Sequence, residues 1–223
     1  AASGGESMSP EPPVDHGYQI LGSPPVGHDY RIHEVWAWNL DAAFDELAGA
    51  VAAEANAILA FDTEFPGFIR QEHRLASPAA RYEALRANVD VLRPIQLAVS
   101  VASADGEIRG TWSFNLLFDL TSDLSSAASV ELLMGAGVDF ARHATEGIDI
   151  VELSRLLKDS PLFSPHGYGG MLLWVTFSGV YDFGFLLKTL TGGRALPVEE
   201  SAFGELVSAI CPWRVDLQDY MTR

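Results

Sequence analysis

The chain has 223 residues, 48% of them hydrophobic and 10% aromatic, which is enough to bury a substantial core and excludes wholesale disorder. Thirty acidic residues against fourteen basic ones leave a net charge of −16, which argues against a broad basic face for long nucleic acid but not against a narrow site that holds a few phosphates through metal ions. A single cysteine, Cys211, excludes an internal disulfide framework, and the sequence has neither a secretory-signal layout nor the roughly 20-residue apolar run of a membrane span, so the expectation is a soluble protein of a reducing, intracellular compartment.

Residues 1 to about 30 hold five of the twelve prolines and little periodic apolar pattern, which predicts a flexible tail. One domain is expected over 31–223. Its first helix is predicted at 40–54, where Leu40, Phe44, Leu47 and Val51 share a face and Asn39 stands as N-cap. Ala57 to Phe61 reads as a buried strand. Gln96–Ala102 and Ile108–Phe114 read as two more, joined through the Asp105-Gly106 turn signal. A capping-box-like start at Asp149 precedes the stripe Ile150, Leu153, Leu156 and Leu157. Leu172–Phe177 reads as a strand, followed by a helix from about Val180 with Phe183, Leu186, Leu187 and Leu190 inside and Gly192-Gly193 at its end. A last helix carries Phe203, Leu206, Val207 and Ile210 and stops at Pro212. A hairpin followed by a strand–helix unit predicts an α/β fold, a mixed sheet with helices packed on it.

Three acids stand out as chemistry. Asp62 and Glu64 adjoin the buried strand that ends at Phe61, and with a period of two they point to one side of it. Two neighbouring carboxylates repel unless a cation lies between them, and hard oxygen donors suit Mg²⁺ or Mn²⁺. A solvated acidic turn is the commoner meaning of Asp-x-Glu, but a buried strand before it and Phe-Pro-Gly behind it are not an ordinary exposed turn. Asp182 lies near the start of a later helix, where an acid also complements the helix dipole. Together with the pair it makes the set from which two cations about 4 Å apart could clamp a phosphodiester. The six histidines show no metal-ligand spacing and read mostly as surface or loop residues. Ser154, Ser178 and Cys211 have no base beside them, and His166-Gly-Tyr-Gly-Gly170 lacks the Lys and Ser/Thr of a phosphate loop.

Ile32-His-Glu-Val-Trp-Ala-Trp-Asn39, Phe61-Asp-Thr-Glu-Phe-Pro-Gly67, Arg86-Ala-Asn-Val-Asp90, Thr111-Trp-Ser-Phe-Asn115, Glu146-Gly-Ile-Asp149 and Trp174 to Gly184 occur in one order. This series resembles the CCR-associated-factor (CAF/POP) deadenylases, the nuclease subunits of the CCR–NOT complex, over about residues 32–221. The resemblance implies a ribonuclease-H-like fold and a DEDD-type 3′-to-5′ exoribonuclease that removes poly(A) from mRNA with two divalent cations, Mg²⁺ or Mn²⁺, in cytoplasm and nucleus. It implies that Asp62 bridges both metals, that Glu64 binds the one carrying the attacking water, and that Asp182 binds the other. Its implied partners are the poly(A) tail of mRNA, the CCR–NOT scaffold and the second deadenylase subunit, with no membrane. Relative to that family the sequence reads as C-terminally incomplete, because the third block, which brings a general base and a fourth carboxylate, lies beyond Val215-Asp216-Leu217. Asp216 matches a non-ligand aspartate, and Ser178 stands where the family usually has histidine. An active deadenylase is therefore weighed against a catalytically inactive CCR–NOT interaction module that keeps the fold, and against a DNA proofreading-type exonuclease.

Overall fold

Edge strand β1 (Ile32–Val35) passes through a 3-10 turn into helix α1 (Leu40–Ala52) in the computed structural model, which describes residues 32–71, 76–160, 162–163 and 171–221. The expected N-terminal tail and the glycine-rich loop at 166–170 lie outside the described residues, as do His16, His28, His73 and His166. The predicted stripe of α1 is buried throughout. Asn39 does not cap it. Its Oδ1 accepts the Trp36 N–H at 2.7 Å and its Nδ2 donates to Glu34 O at 3.0 Å, so the side chain folds back over the preceding turn.

Strand β2 (Asn56–Glu64) runs past Phe61, which makes Asp62, Thr63 and Glu64 strand residues and not a turn after it. Helix α2 (Pro78–Val91) has no counterpart in the sequence reading. Its inner face is Tyr82, Leu85 and Val89 among alanines, a faint periodicity. Its start was legible in Ser77, whose Oγ accepts the Ala80 N–H, followed by proline in the first turn. Strands β3 (Gln96–Ala102) and β4 (Ile108–Asn115) form the expected hairpin, with Gly106 in the left-handed region at φ 90°. Helices α3 (Ala127–Gly135) and α4 (Phe140–Glu146), capped by Ser126 and Asp139, were also not anticipated. Helix α5 (Ile150–Asp159), strand β5 (Met171–Thr176), helix α6 (Val180–Leu190) and helix α7 (Glu200–Ile210) follow close to prediction, with Leu206 of α7 on the exposed side rather than in its inner stripe. Strand β6 (Arg214–Asp216) and helix α8 (Gln218–Met221) complete the described chain.

The strands hydrogen-bond in the order β1-β4-β3-β2-β5-β6. The pair β2–β3 is antiparallel from Ile58↔Ala102 to Glu64↔Gln96, whereas β2–β5 is parallel and ends at Ala60↔Val175. This mixed sheet with helices packed on it is the expected α/β arrangement. One sheet face carries Leu59, Phe61, Leu97, Val99, Trp112 and Phe114 into a single core with α1, α5 and α6. On β2 the alternation leaves Ala60 and Asp62 exposed and Glu64 half-buried on the opposite face. A smaller apolar cluster, Ile95, Phe118, Leu133 and Phe140, seats α3 and α4 at the periphery.

Candidate functional site

The site begins where β5 leaves β2. Their pairing stops at Ala60↔Val175, and β5 ends at Thr176, so the last residues of β2 have no strand on that side. Asp182, in the first turn of α6, fills part of the gap. Its Oδ1 accepts the Thr63 N–H at 3.0 Å and the Thr63 Oγ1–H at 2.6 Å. A backbone amide left unpaired in a buried position is costly, so this contact satisfies the strand end and fixes the carboxylate at once. Oδ2 of Asp182 takes no hydrogen bond from the described residues.

Asp62 and Glu64 flank Thr63 on the opposite, open face of β2, as the period-two reading requires. None of the three acids forms an ion pair with a described Arg, Lys or His. Without such a partner, burial and mutual repulsion disfavour their charged forms. Burial first, then the charge of Asp62, pushes Glu64 up to about 7. Burial pushes Asp182 up to about 7 as well, reinforced by Asp62 and Glu64 and opposed by its hydrogen bonds from Thr63. Asp62 keeps an exposed edge, yet the protein packed around its carboxyl raises it too, against the Thr63 amide. The three carboxylates thus lie within electrostatic reach of one another without a positive partner. Among the described residues no three His, Cys, Asp or Glu side chains are already gathered as a metal-holding group. The donor set itself, hard oxygens destabilised by mutual repulsion, fits a divalent cation.

The segment after β2 braces this corner. Phe65 stacks on Tyr181 and Phe185 with centroids 5.5 and 4.8 Å apart, and Phe68 meets Tyr181 edge-on at 5.0 Å. Asn88, wholly buried on α2, accepts the Ile69 and Arg70 N–H groups on Oδ1 and donates from Nδ2 to Arg70 O and the Tyr181 hydroxyl. One amide therefore ties α2, the loop and the residue next to Asp182 together. Sequence reasoning marked Asn88 only as part of a motif and gave it no role, because its partners are 18 to 93 residues away.

The remaining candidates behave as structure. Ser154 is buried and donates to Leu190 O at 2.7 Å. Cys211 is buried, which pushes its thiol up to about 12 and leaves it unreactive. His143 is not on the surface. It is buried against Trp36, with Nδ1 2.8 Å from Leu116 O, and burial lowers its pKa. Ser178 adopts φ 57°, the left-handed region, at the turn into α6.

A family model described as CAF1 family ribonuclease matches residues 35–155, a stretch that contains Asp62 and Glu64 and ends before Asp182. Poly(A) ribonuclease pop2 of Schizosaccharomyces pombe is 32% identical over 195 residues, covering 85% of this chain and 56% of the relative. CCR4-NOT transcription complex subunit 7 of Caenorhabditis elegans is 34% identical over 201 residues, covering 85% of this chain and 61% of the relative. The chain thus spans less than two thirds of either relative's length. Among solved structures, the Mg²⁺- and Mn²⁺-bound form of S. pombe Pop2p superposes with a TM-score of 0.77 at 32% identity, over 85% of this chain and 75% of that one. The chain belongs to the CAF1 ribonuclease family.

Proposed function

We propose that this chain is the nuclease portion of a 3′-to-5′ poly(A) exoribonuclease that works with two divalent cations, Mg²⁺ or Mn²⁺, held by Asp62, Glu64 and Asp182. The observation that carries the reading is the uncompensated acid set at the end of β2, with Asp182 fixed through Thr63 and its second oxygen free. When bound, such cations supply the polarisation of the phosphodiester and the ionisation of the attacking water. The protein's own contribution is orientation. Thr63 holds Asp182 at Oδ1, so that carboxylate presents Oδ2 in one direction only. Asp62 and Glu64 sit two residues apart on one strand face and face the solvent side where an RNA 3′ end could enter. The strong negative charge of the chain limits phosphate contacts outside the site, so affinity for oligo(A) should depend only weakly on salt.

Support for the substrate comes from membership of the family and from the relative named poly(A) ribonuclease. The relative named as a CCR4-NOT subunit supports assembly with that complex, and the reading takes the complex's scaffold and second deadenylase subunit as the direct partners. A second reading, a catalytically inactive CCR–NOT interaction module, is favoured by one observation: the carboxylates do not already form a metal-holding group among the described residues. Incubating the purified chain with a 5′-labelled oligo(A) and Mn²⁺ separates the two. An exoribonuclease shortens the oligomer stepwise from its 3′ end and stops with EDTA. Asp62→Asn should then slow it by more than the roughly 10–100-fold cost of losing an outer-shell partner. An intact oligomer with a protein that still binds Mn²⁺ selects the interaction module, and equal shortening of oligo(dA) selects the DNA-directed class.

A further inference from the structure

The turn from β5 into α6 is held by a residue from a different element. Ser178 is left-handed at φ 57° and Gly179 follows at φ −79°, ψ 18°, a sequence that points both backbone N–H groups into one concavity. Asp216, at the end of β6, fills it. Its Oδ1 accepts the Ser178 N–H at 2.8 Å and the Gln218 N–H at 3.0 Å, and its Oδ2 accepts the Gly179 N–H at 2.8 Å. The strand pairing brings it there, since Asp216 is in register with Thr176 and Leu217 N–H donates to Thr176 O at 2.9 Å.

The turn has little freedom besides this clamp. A Cβ on Gly179 would stand 2.5 Å from Thr176 Oγ1, so that position has no space for a side chain. Ser178 occupies a region that non-glycine residues enter uncommonly, and it persists there only where its surroundings over-determine it. Gly179 O then accepts the Phe183 N–H at 3.0 Å, opening α6, and Asp182 lies three residues beyond Gly179. The geometry of the turn is therefore the geometry of the helix start that carries Asp182.

We propose that Asp216 is a positioning residue for Asp182: its carboxylate locks the Ser178–Gly179 turn and so fixes the first turn of α6 from which Asp182 offers its free oxygen to the cation. The proposal rests on Asp62, Glu64 and Asp182 being the cation site. Asp216 is not assigned as a ligand. Its three amide donors occupy both of its oxygens.

Calorimetric titration of the full 223-residue chain with Mn²⁺ alone tests this. Asp216→Asn keeps the shape and loses one acceptor, and should weaken Mn²⁺ binding about tenfold, the low end of the cost of losing an outer-shell partner. Asp219→Asn removes an equal charge from an exposed neighbour and should leave the affinity within about twofold of the parent. Adding Ser178→Gly to Asp216→Asn should recover severalfold, because glycine enters the left-handed region without the steric cost that serine bears. Amide exchange at 178–182 should quicken in Asp216→Asn while that of α5 stays as in the parent. Should Asp216→Asn fail to fold, Ser178→Val is the second probe: a β-branched residue is a poor occupant of that region, and the same loss of affinity is expected. Parent-like Mn²⁺ affinity in Asp216→Asn or Ser178→Val, with Asp182→Asn defective, overturns the proposal and spares the site. So does a loss that Ser178→Gly does not relieve, which would mark Asp216 as a support of the fold alone. Equal Mn²⁺ binding by the parent and Asp182→Asn overturns the site itself, and the positioning role with it.

Discussion

Helix α6 buries an ionisable side chain near each of its ends, and the two are treated in opposite ways. Lys188, toward the C-terminal end, is 5% exposed, and its ammonium donates to the carbonyls of Val89, Asp90 and Leu92 at 2.7, 3.1 and 2.6 Å. These are carbonyls at the C-terminus of α2, which no further helical turn can satisfy. Burial lowers the Lys188 pKa, but every proton of the ammonium has an acceptor. Asp182, toward the N-terminal end, is 6% exposed and has hydrogen bonds on one oxygen only, with two further acids in electrostatic reach. A buried charge that the chain solvates itself is part of the scaffold. A buried carboxylate left with like-charged neighbours either takes up a proton or is matched from outside, and a divalent cation is the simplest ligand with that chemistry.

The largest test of this contrast is pH. Glu64 and Asp182 titrate near 7 in the folded protein and near their ordinary 4.5 and 3.8 when unfolded. Between about pH 4 and pH 7 the native state therefore holds more protons than the unfolded state, and stability falls as pH rises through that window. At about 1.4 kcal/mol per pKa unit, the metal-free protein should lose a few kcal/mol between pH 4.5 and pH 8. Saturating Mn²⁺ should reverse this, because it binds the deprotonated carboxylates, so its stabilisation should be greatest at pH 8 and fade toward pH 5. Urea unfolding with and without Mn²⁺ across this range reads both effects. A metal-free stability that rises from pH 5 to pH 8 would show that the acids are not destabilised as described.

The second test removes the satisfied charge. Lys188→Met keeps the stem and abolishes three hydrogen bonds, leaving the α2 carbonyls without donors. It should cost about 2–4 kcal/mol in urea unfolding. Its Mn²⁺ affinity should match that of the parent, measured by titration at 25 °C, because nothing at the C-terminal end of α6 reaches the acids. A weakened Mn²⁺ affinity in a folded Lys188→Met would show that the two ends are coupled through α6.

The two ends also differ in how far they could be read from sequence. Asp182 was legible because it adjoins a periodic helix start, and Asp62 and Glu64 because they continue a buried apolar run with an unusual Phe-Pro-Gly behind them. β3 was legible to the residue, since Gln96 and Ala102 bound an unbroken strand pattern. Lys188 carried no signal. A lysine after Leu186-Leu187 reads as the polar edge of an amphipathic helix, and only the packing of α2 on α6 turns that edge inward. The same holds for Asn88 and Asp216, whose partners lie 18 to 93 and as many as 38 residues away. β1 and β6 are too short for a local pattern, and they exist because the neighbouring strand supplies their hydrogen bonds. Helices α3 and α4 escaped for a different reason: α3 buries only Leu133, so it has almost no stripe to find. Ser126 and Asp139, each accepting an amide three residues on, were the available signals.

The smallest effects separate the loop that braces the N-terminal end of α6 from an ordinary turn. Gly67 and Gly106 share nearly the same left-handed backbone, φ 93° and φ 90°. Around Gly106 an added Cβ meets nothing, so Gly106→Ala carries the backbone cost alone, about 1 kcal/mol. At Gly67 the same methyl meets the hydroxyls of Ser129 and Ser126, which hold the start of α3. Gly67→Ala should therefore cost about 1 kcal/mol more than Gly106→Ala in urea unfolding. The extra strain enters between Phe65 and Phe68, which both pack on Tyr181, so Gly67→Ala should also weaken Mn²⁺ binding severalfold while Gly106→Ala leaves it unchanged. Ser129→Ala in the Gly67→Ala background takes away the oxygen that the new methyl meets, and should return part of both losses. Equal costs for the two glycine variants would mean that the loop yields freely, and that the aromatic bracing does not hold the acid end of α6 in place.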